Sequence, residues 1–423
     1  QPFWIVELDS DHAAEKIASR SVTVRCIVDL WASAIEMADL HRQLHSLPSE
    51  WMRPYSSPEV SFKIKVETFC NSQTQEEKVD KIESFNYLPL NGPVRLKHPD
   101  LVLQFIEYFG LEPNSIPKKP LHVFFGRVVA EGQRDLINKF SLKKRKFIGN
   151  TSMDPQLSLI MANQAKVKDG SLVLDPFAGT GSLLIAAAQF GGYVIGTDID
   201  YLMIHGKSRP TRKQHRDRPR HNESVLSNMQ QYGLSHHYLD MVVADASLPL
   251  WKPSLVLDAV ITDPPYGIRE AMERVGTSRE GSGAISEEYL GSHIPSKVQY
   301  SMHQLMDDLL RFSANHLVLG GRLVTWIPVI RNEYNEEKSI PKHDCLELVS
   351  NSEQILSTAS SRRLLTYEKI CDPKNKTSSE NVPSLNDETF REKYYKIVEE
   401  IRRDRKLKSS PTQRGHECAD GKT

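Results

Sequence analysis

The sequence DPFAGTGS, from Asp175 to Ser182, follows the apolar stretch SLVL and precedes an Ala- and Leu-rich stretch that ends at Gly191 and Gly192. This order predicts a buried strand, a glycine-rich turn and a helix, because glycine lets the backbone turn sharply and commonly ends a helix. The N-terminal end of such a helix, with its free backbone N–H groups, favours nucleotide-like ligands. The stretch therefore predicts a cofactor site at the end of the first strand of an α/β sheet.

The glycine spacing separates two classes of cofactor. A dinucleotide-binding turn reads G-x-G-x-x-G, but after Gly179 and Gly181 the third glycine position is taken by Leu184. NAD is therefore disfavoured and S-adenosylmethionine is favoured. The turn residues predicted to bind this cofactor are Asp175, Pro176, Phe177, Gly179 and Gly181.

Two further acids end the next predicted strands. Asp198 closes YVIGTD and Asp245 closes MVVAD. Either acid alone is more typical of a helix cap or a turn. In an open parallel sheet the strand ends share one edge, so we predict that Asp198 accepts hydrogen bonds from the ribose hydroxyls and Asp245 from the adenine amino group.

Alternation of strand-like and helix-like segments continues through LDAVITD and GRLVTWIPV. This pattern predicts an α/β fold with a doubly wound, mostly parallel, Rossmann-like sheet. CLELVSN and RRLLTYEKI are predicted as extra strands, one of them antiparallel at the sheet edge.

The fourth strand runs directly into Asp263, Pro264, Pro265, Tyr266 and Gly267. In isolation this is an ordinary proline turn. At a strand end beside a cofactor site, it predicts attack by an exocyclic base amine, whose lone pair is delocalised into the ring until its hydrogens are accepted elsewhere. We predict the Asp263 carboxylate and the Pro264 carbonyl as those acceptors, and Tyr266 and Pro265 as contacts to an extruded base.

The remaining parts of the chain differ in composition. Residues 1–140 predict an α+β region with strands at WIVEL, VTVRCIV and SFKIKVETF and a helix at LVLQFIEYFG. Residues 141–371 form the predicted catalytic domain. Residues 372–423 are rich in Lys, Ser, Glu and Asn and are expected to be largely disordered. Because the chain begins at Gln1, we expect some N-terminal sequence to be missing.

Charge and cysteine usage restrict the possible functions. Lys and Arg number 54, as do Asp and Glu, so any nucleic-acid contact must come from local basic patches. Two exist, Lys143-Lys144-Arg145-Lys146 and residues 207–220, and each is either a solvated loop or an RNA contact. Five scattered cysteines without a C-x-x-C pair favour a reducing, cytoplasmic setting and no metal site. No apolar run reaches the ~18 residues that would span a membrane.

The motifs and their flanks carry a family resemblance. KKRKFIGNTSMDPQLSLIMAN, GTDID, QYGL, ITDPPYGIRE and LVLGGRLVTWIPV resemble the catalytic subunits of eukaryotic methyltransferases that act on N2 of guanosine 10 in tRNA. The resemblance runs from about Phe3 to Glu368.

The resemblance implies a class I methyltransferase domain preceded by a ferredoxin-like and THUMP region that binds tRNA. It further implies that Thr151, Ser152 and Met153 lie beside S-adenosylmethionine. A small zinc-binding activator subunit would form a heterodimer with the chain, covering an apolar sheet edge near the third strand.

Other functions remain open at the level of the motifs. An rRNA guanine N2-methyltransferase has the same catalytic residues, and a DNA adenine N6- or cytosine N4-methyltransferase would keep DPPY but insert a DNA-target domain. A non-catalytic RNA-binding scaffold should have lost an acid, yet Asp175, Asp198, Asp245 and Asp263 are all present.

Overall fold

The computed structural model of the protein describes residues 2–207, 223–277, 295–373 and 389–409. The chain divides into two compact units, Gln1–Lys139 and Phe140–Thr423. Within the described residues, no helix is long and apolar enough to cross a membrane. The basic segment at residues 207–220 lies outside the described residues except for Lys207.

The N-terminal unit is a four-stranded sheet with helices. Its strand order is β1-β4-β3-β2; β2 and β3 are parallel, and the other neighbouring pairs are antiparallel. Large apolar side chains such as Phe85, Phe105 and Phe125 fill its core. The elements are α1 (Asp11–Ala18), β1 (Cys26–Ala34), α2 (Met37–His45), α3 (Ser49–Met52), β2 (Phe62–Phe69), α4 (Gln75–Glu83), β3 (Leu101–Tyr108), β4 (His122–Glu131) and α5 (Asp135–Lys139).

Two predictions for this unit were wrong. LVLQFIEYFG is not a helix, because its first eight residues form strand β3, buried between β2 and β4. Gln104 and Glu107 are buried within it, and Lys81 forms an ion pair with Glu107. WIVEL forms no strand, and Trp4 is 84% exposed. The predicted strand SFKIKVETF is confirmed as β2.

The C-terminal unit contains a seven-stranded sheet of order β12-β13-β11-β8-β5-β6-β7. The strands β5, β6, β7, β8 and β11 are parallel. The two predicted extra strands are present as β12 and β13, but the strand antiparallel to the parallel core is β13, which lies inside the sheet, while β12 forms the edge and pairs antiparallel with β13. The strands are β5 (Leu172–Asp175), β6 (Tyr193–Asp198), β7 (Tyr238–Val243), β8 (Leu257–Thr262), β11 (Leu317–Ile330), β12 (Leu346–Ile355) and β13 (Ser360–Lys369); a separate hairpin pairs β9 (Glu273–Val275) with β10 (Lys297–Gln299).

Helices accompany this sheet along the chain. They are α6 (Pro155–Gln164), α7 (Ser182–Gln189), α8 (Tyr201–Ile204), α9 (Val225–Tyr232), α10 (Met302–His316), α11 (Glu336–Ser339) and α12 (Phe390–Ser409). Helix α12 lies within the tail that the composition predicts to be largely disordered. Its Lys393 forms an ion pair with Glu333, and its apolar positions Ile397 and Val398 are half-buried.

The strand order positions the site. From β5 the chain moves outward to β6 and β7, and then returns to place β8 on the other side of β5. Ligands of open α/β sheets bind where the strand order reverses in this way, outside the carboxyl ends of the strands. The two motif loops begin at that point, one after β5 and one after β8.

Candidate active site

The glycine-rich loop after β5 has the backbone conformation that its sequence predicts. Gly179 and Gly181 have φ values of +50° and +74°, a region that glycine adopts without strain. A Cβ at Gly181 would lie 2.5 Å from Val225 Cγ1, so this position also needs glycine for space. A Cβ at Gly179 would meet nothing within 4 Å in the described part of the chain, so open space borders the loop here.

Asp175 lies under this loop rather than on its surface. The residue is 2% exposed, and its Oδ1 accepts hydrogen bonds from Thr262 Oγ1 at 2.7 Å and Phe177 N at 3.1 Å. Burial raises the pKa of Asp175 to about 8, although both hydrogen bonds act to lower it. Asp175 thus connects the glycine-rich loop to the end of β8.

Asp198 connects the same loop to β6. Its Oδ2 accepts a hydrogen bond from Gly179 N at 2.8 Å, and its Oδ1 accepts one from Asp200 N at 2.9 Å. Burial raises the pKa of this carboxyl, and the two backbone hydrogen bonds oppose that rise. Asp198 therefore lies directly against the glycine loop.

Asp245 follows β7 and contacts the β9–β10 hairpin. Its Oδ1 accepts from Ser247 N at 2.8 Å, and its Oδ2 accepts from Val275 N. A cavity of about 20 Å³ lies beside Asp245, Pro176 and Phe177. This volume holds about one water molecule.

The loop after β8 is held by a network that sequence reasoning did not predict. Tyr266 donates its hydroxyl hydrogen to Asp263 Oδ1, and Arg362 Nη1 lies 3.2 Å from Asp263 Oδ2 and 3.3 Å from the Tyr266 oxygen. Pro264 is buried, and Pro265 is half-buried. Arg362 was missed because it comes from β13, 99 residues along the chain from Asp263.

Thr151 and Ser152 lie between the two loops. Ser152 Oγ is 2.7 Å from Thr180 Oγ1 in the glycine-rich loop. Thr151 Oγ1 donates a 2.9 Å hydrogen bond to Glu270, three residues beyond Gly267. Both residues therefore border the space at the strand ends.

The basic patch at Lys143, Lys144, Arg145 and Lys146 is only partly a surface feature. The three lysines are exposed, but Arg145 is 1% exposed and donates hydrogen bonds to Ser182 Oγ at 2.6 Å and Phe140 O at 3.1 Å. The prediction that Arg145 contacts the substrate was wrong, because its guanidinium is turned into the protein and held at the start of α7.

The two loops lie at the switch point of a mostly parallel sheet, in which an antiparallel strand follows the last parallel one. This arrangement defines a Rossmann-like, class I methyltransferase domain. The cofactor of this class is S-adenosylmethionine. The comparisons agree. Residues 143–278 match a family model described as an RMKL-like methyltransferase domain, and residues 1–134 match one described as the Tmrp11 THUMP N-terminal domain.

Curated relatives extend over nearly the whole chain. The tRNA (guanine(10)-N(2))-methyltransferase TRMT11 of Mus musculus is 47% identical over 403 residues, which cover 94% of this chain and 87% of the mouse protein. The tRNA (guanine(10)-N(2))-methyltransferase of Saccharomyces cerevisiae is 35% identical, covering 93% and 90% of the two chains. This chain belongs to the tRNA (guanine(10)-N(2))-methyltransferase family.

Among solved structures, TrmN from Thermus thermophilus matches with a TM-score of 0.38 and 18% identity. The match covers 82% of this chain and 84% of that one.

Proposed function

We propose that this chain transfers a methyl group from S-adenosylmethionine to the exocyclic N2 of guanosine 10 in tRNA. The observation that carries the chemistry is the position of Asp263 and Pro264 at the switch point, next to the glycine-rich loop. The choice of tRNA and of guanosine 10 rests on family membership.

The cofactor would lie across the ends of β5, β6 and β7. Open space beside Gly179 accommodates it, Asp198 accepts hydrogen bonds from the ribose, and Asp245 accepts one from the adenine amine. Phe177 and Pro176 form the wall of the adenine pocket, and Thr151 and Ser152 border the methionine end.

The loop after β8, residues 263–267, is called the acceptor loop, and it would activate the target amine. S-adenosylmethionine supplies a methyl group on a positively charged sulfur. Asp263 and the Pro264 carbonyl accept the two N2 hydrogens, which concentrates the nitrogen lone pair toward that carbon. As nitrogen bonds to the methyl carbon, the carbon–sulfur bond breaks and its electron pair remains on sulfur. Asp263 then receives the proton that the methylated nitrogen loses, while Pro265 and Tyr266 contact the extruded base.

The proposed roles of the three parts of the chain follow the domain boundaries. We propose that residues 1–140 bind tRNA, residues 141–371 catalyse methyl transfer, and residues 372–423 form a tail that contains α12. The exposed side chains of Lys143, Lys144 and Lys146 are suited to phosphate contacts near the start of the catalytic domain.

We also propose a small zinc-binding activator subunit as a partner. β7 is the edge strand of the sheet, and apolar side chains on it and on the following loop are 42% to 54% exposed: Leu239, Val243, Leu248 and Leu250. An apolar edge of this kind is typical of a partner surface. Leu239→Glu should dissociate the heterodimer in size-exclusion chromatography with light scattering. Leu319→Glu, a control at a leucine that is 63% exposed against 49% for Leu239, should leave it intact. An intact Leu239→Glu heterodimer would contradict this interface.

We propose a cytoplasmic location because the described cysteines form no disulfide bonds. The four cysteines among the described residues (Cys26, Cys70, Cys345 and Cys371) are free, as expected in a reducing compartment. Fractionation of cells that express the tagged full chain tests this location.

Product mapping tests the proposed function. The chain is co-expressed with the activator and incubated with unmodified tRNA and isotopically labelled S-adenosylmethionine, and the product is located by mass spectrometry. We expect N2-methylguanosine at position 10. A product on N6 of adenine, or methylation of rRNA or DNA in preference to tRNA, would overturn the assignment.

A further inference from the structure

We propose that Arg362 is a positioning residue for methyl transfer, holding Asp263 and Tyr266 in the arrangement that receives the target amine. The inference rests on the proposed function of the Asp263 loop. Arg362 lies outside both sequence motifs, on a strand antiparallel to the parallel core of the sheet.

Arg362, Asp263 and Tyr266 form a closed hydrogen-bond network. The guanidinium Nη1 is within hydrogen-bonding distance of both Asp263 Oδ2 and the Tyr266 oxygen, at 3.2 and 3.3 Å, while Tyr266 donates to Asp263 Oδ1. Each carboxylate oxygen thus has one donor and keeps a lone pair for a substrate hydrogen. The orientation of both side chains is therefore fixed before the base arrives.

Arg362 is itself immobilised by its neighbours. Its Nε donates a 2.7 Å hydrogen bond to Gln354 Oε1, and its guanidinium carbon lies 4.1 Å from the centroid of a Trp326 ring. The side chain is 13% exposed. A planar guanidinium that stacks on one face and donates along its edges loses little entropy when it orients a carboxylate. Gln354 on β12 and Trp326 on β11 thus hold Arg362 of β13 in one orientation, and Arg362 in turn holds the acceptor loop.

Arg362 also favours the charged form of Asp263. Burial raises the pKa of its carboxyl, and the positive charge of Arg362, with hydrogen bonds from Tyr266 and Arg362, opposes that rise. Among the described residues, the buried Asp175 on β5 also interacts electrostatically with Asp263. Without Arg362, a larger fraction of Asp263 would be protonated at neutral pH, and a protonated carboxyl is a poorer acceptor for the N2 hydrogens.

A neighbouring residue supplies a matched control. Arg363 is also on β13 and 18% exposed, but its guanidinium carbon stacks 4.0 Å from Tyr334, and its ion pair is with Glu353 at 3.9 Å. Successive side chains of a strand point to opposite faces, so Arg363 points away from the acceptor loop. Arg363→Gln removes a stacked, ion-paired arginine without touching Asp263.

The test compares kcat, KM and pH profiles of the full chain co-purified with its activator. Arg362→Gln should lower kcat by about 10- to 100-fold, as expected when a hydrogen-bonded charge is removed, and should change the KM for tRNA by less than roughly threefold. It should also move the acid limb of the kcat profile to higher pH, because Asp263 loses the positive charge that lowers its pKa. Arg362→Lys, which retains the charge, should lose less activity and keep the acid limb near that of the wild type.

Arg363→Gln should stay within roughly threefold of the wild type with its acid limb unmoved, since the ion pair that it loses is partly exposed. Equal losses in Arg362→Gln and Arg363→Gln, or an unmoved acid limb in Arg362→Gln, would overturn the inference. If Arg362→Gln does not fold, Arg362→Lys and Arg363→Lys are compared, and equal kcat values would again overturn it.

Product mapping in the same reactions separates this inference from the proposed function. Methylation of another base amine by the wild type, with the Arg362 effects retained, would refute the guanosine 10 assignment and leave the role of Arg362 standing. Methylation at guanosine 10 without those effects would support the guanosine 10 assignment and refute the role of Arg362.

Discussion

Thr262 Oγ1 donates a 2.7 Å hydrogen bond to Asp175 Oδ1, joining the last residue of β8 to the last residue of β5. Each residue borders one motif loop, because Asp263 follows Thr262 and Pro176 follows Asp175. One buried side-chain hydrogen bond between two adjacent parallel strands therefore joins the bases of the glycine-rich loop and the acceptor loop.

Replacing Thr262 with valine should destabilise the protein, because the buried Asp175 carboxyl loses a hydrogen-bond partner. Such a loss costs about 1–3 kcal/mol of unfolding free energy. Thr262→Ser retains the hydroxyl and serves as the control. Urea unfolding of the three proteins measures the difference, and equal stabilities for Thr262→Val and Thr262→Ser would show that the hydrogen bond contributes nothing.

The raised pKa of Asp175 predicts a pH dependence of stability. Because its pKa is about 8 in the folded protein and about 4 when unfolded, the folded state binds more protons between these values. The contribution of Asp175 to stability is thus fully present below about pH 4 and is lost as the pH rises toward 8.

Comparison with Asp175→Asn isolates this effect from the other buried acids. Relative to that variant, the wild type should lose up to about 4 kcal/mol of unfolding free energy between pH 5 and pH 8. Parallel stability curves for the two proteins would contradict a raised pKa at Asp175.

The sequence predicted the sheet of the catalytic unit well because its parallel strands are buried and read as short apolar runs such as LVLD and LDAVIT. The same feature misled the interpretation of LVLQFIEY. That strand is also buried, and its polar Gln104 and Glu107 are three residues apart, a spacing that places side chains on one face of a helix.

Two charged residues show what local sequence cannot reveal. Arg145 occurs in a run of basic residues, but burial against Ser182 depends on the position of α7, 37 residues further along. Arg362 occurs in an unremarkable strand, and its contact with Asp263 exists only because β13 lies beside β11. Both outcomes depend on contacts between residues distant in sequence.

Gly179→Ala should weaken cofactor binding, because the added Cβ points into the open space beside the loop. Gly170→Ala is a matched control: Gly170 also has a positive φ of +80° and free space around it, but it lies in the turn before β5. Both substitutions should cost about 1–2 kcal/mol of stability through left-handed strain. In calorimetry, the Kd for S-adenosylmethionine should rise by about tenfold or more in Gly179→Ala and stay unchanged in Gly170→Ala. Equal Kd values would place the cofactor elsewhere.

Helix α12 should contribute to tRNA affinity. It contains eight Lys or Arg residues against four Asp or Glu, and its Arg391 Cβ is 3.8 Å from where a Cβ would lie at Gly267 in the acceptor loop. A chain ending at residue 388 should bind tRNA several-fold more weakly and with a shallower salt dependence, because phosphate contacts release counterions. Binding titrations at two salt concentrations measure both. Unchanged tRNA affinity and salt slope would assign α12 no part in binding.

In the proposed mechanism, Asp263 and the loop it begins activate the amine. The most direct measurement is single-turnover methyl transfer by Asp263→Ala, together with its affinities for tRNA and S-adenosylmethionine. We expect methylation of guanosine 10 to fall by at least about a thousandfold while both affinities stay within roughly threefold of the wild type. Retained methyl transfer by Asp263→Ala would contradict this role of Asp263.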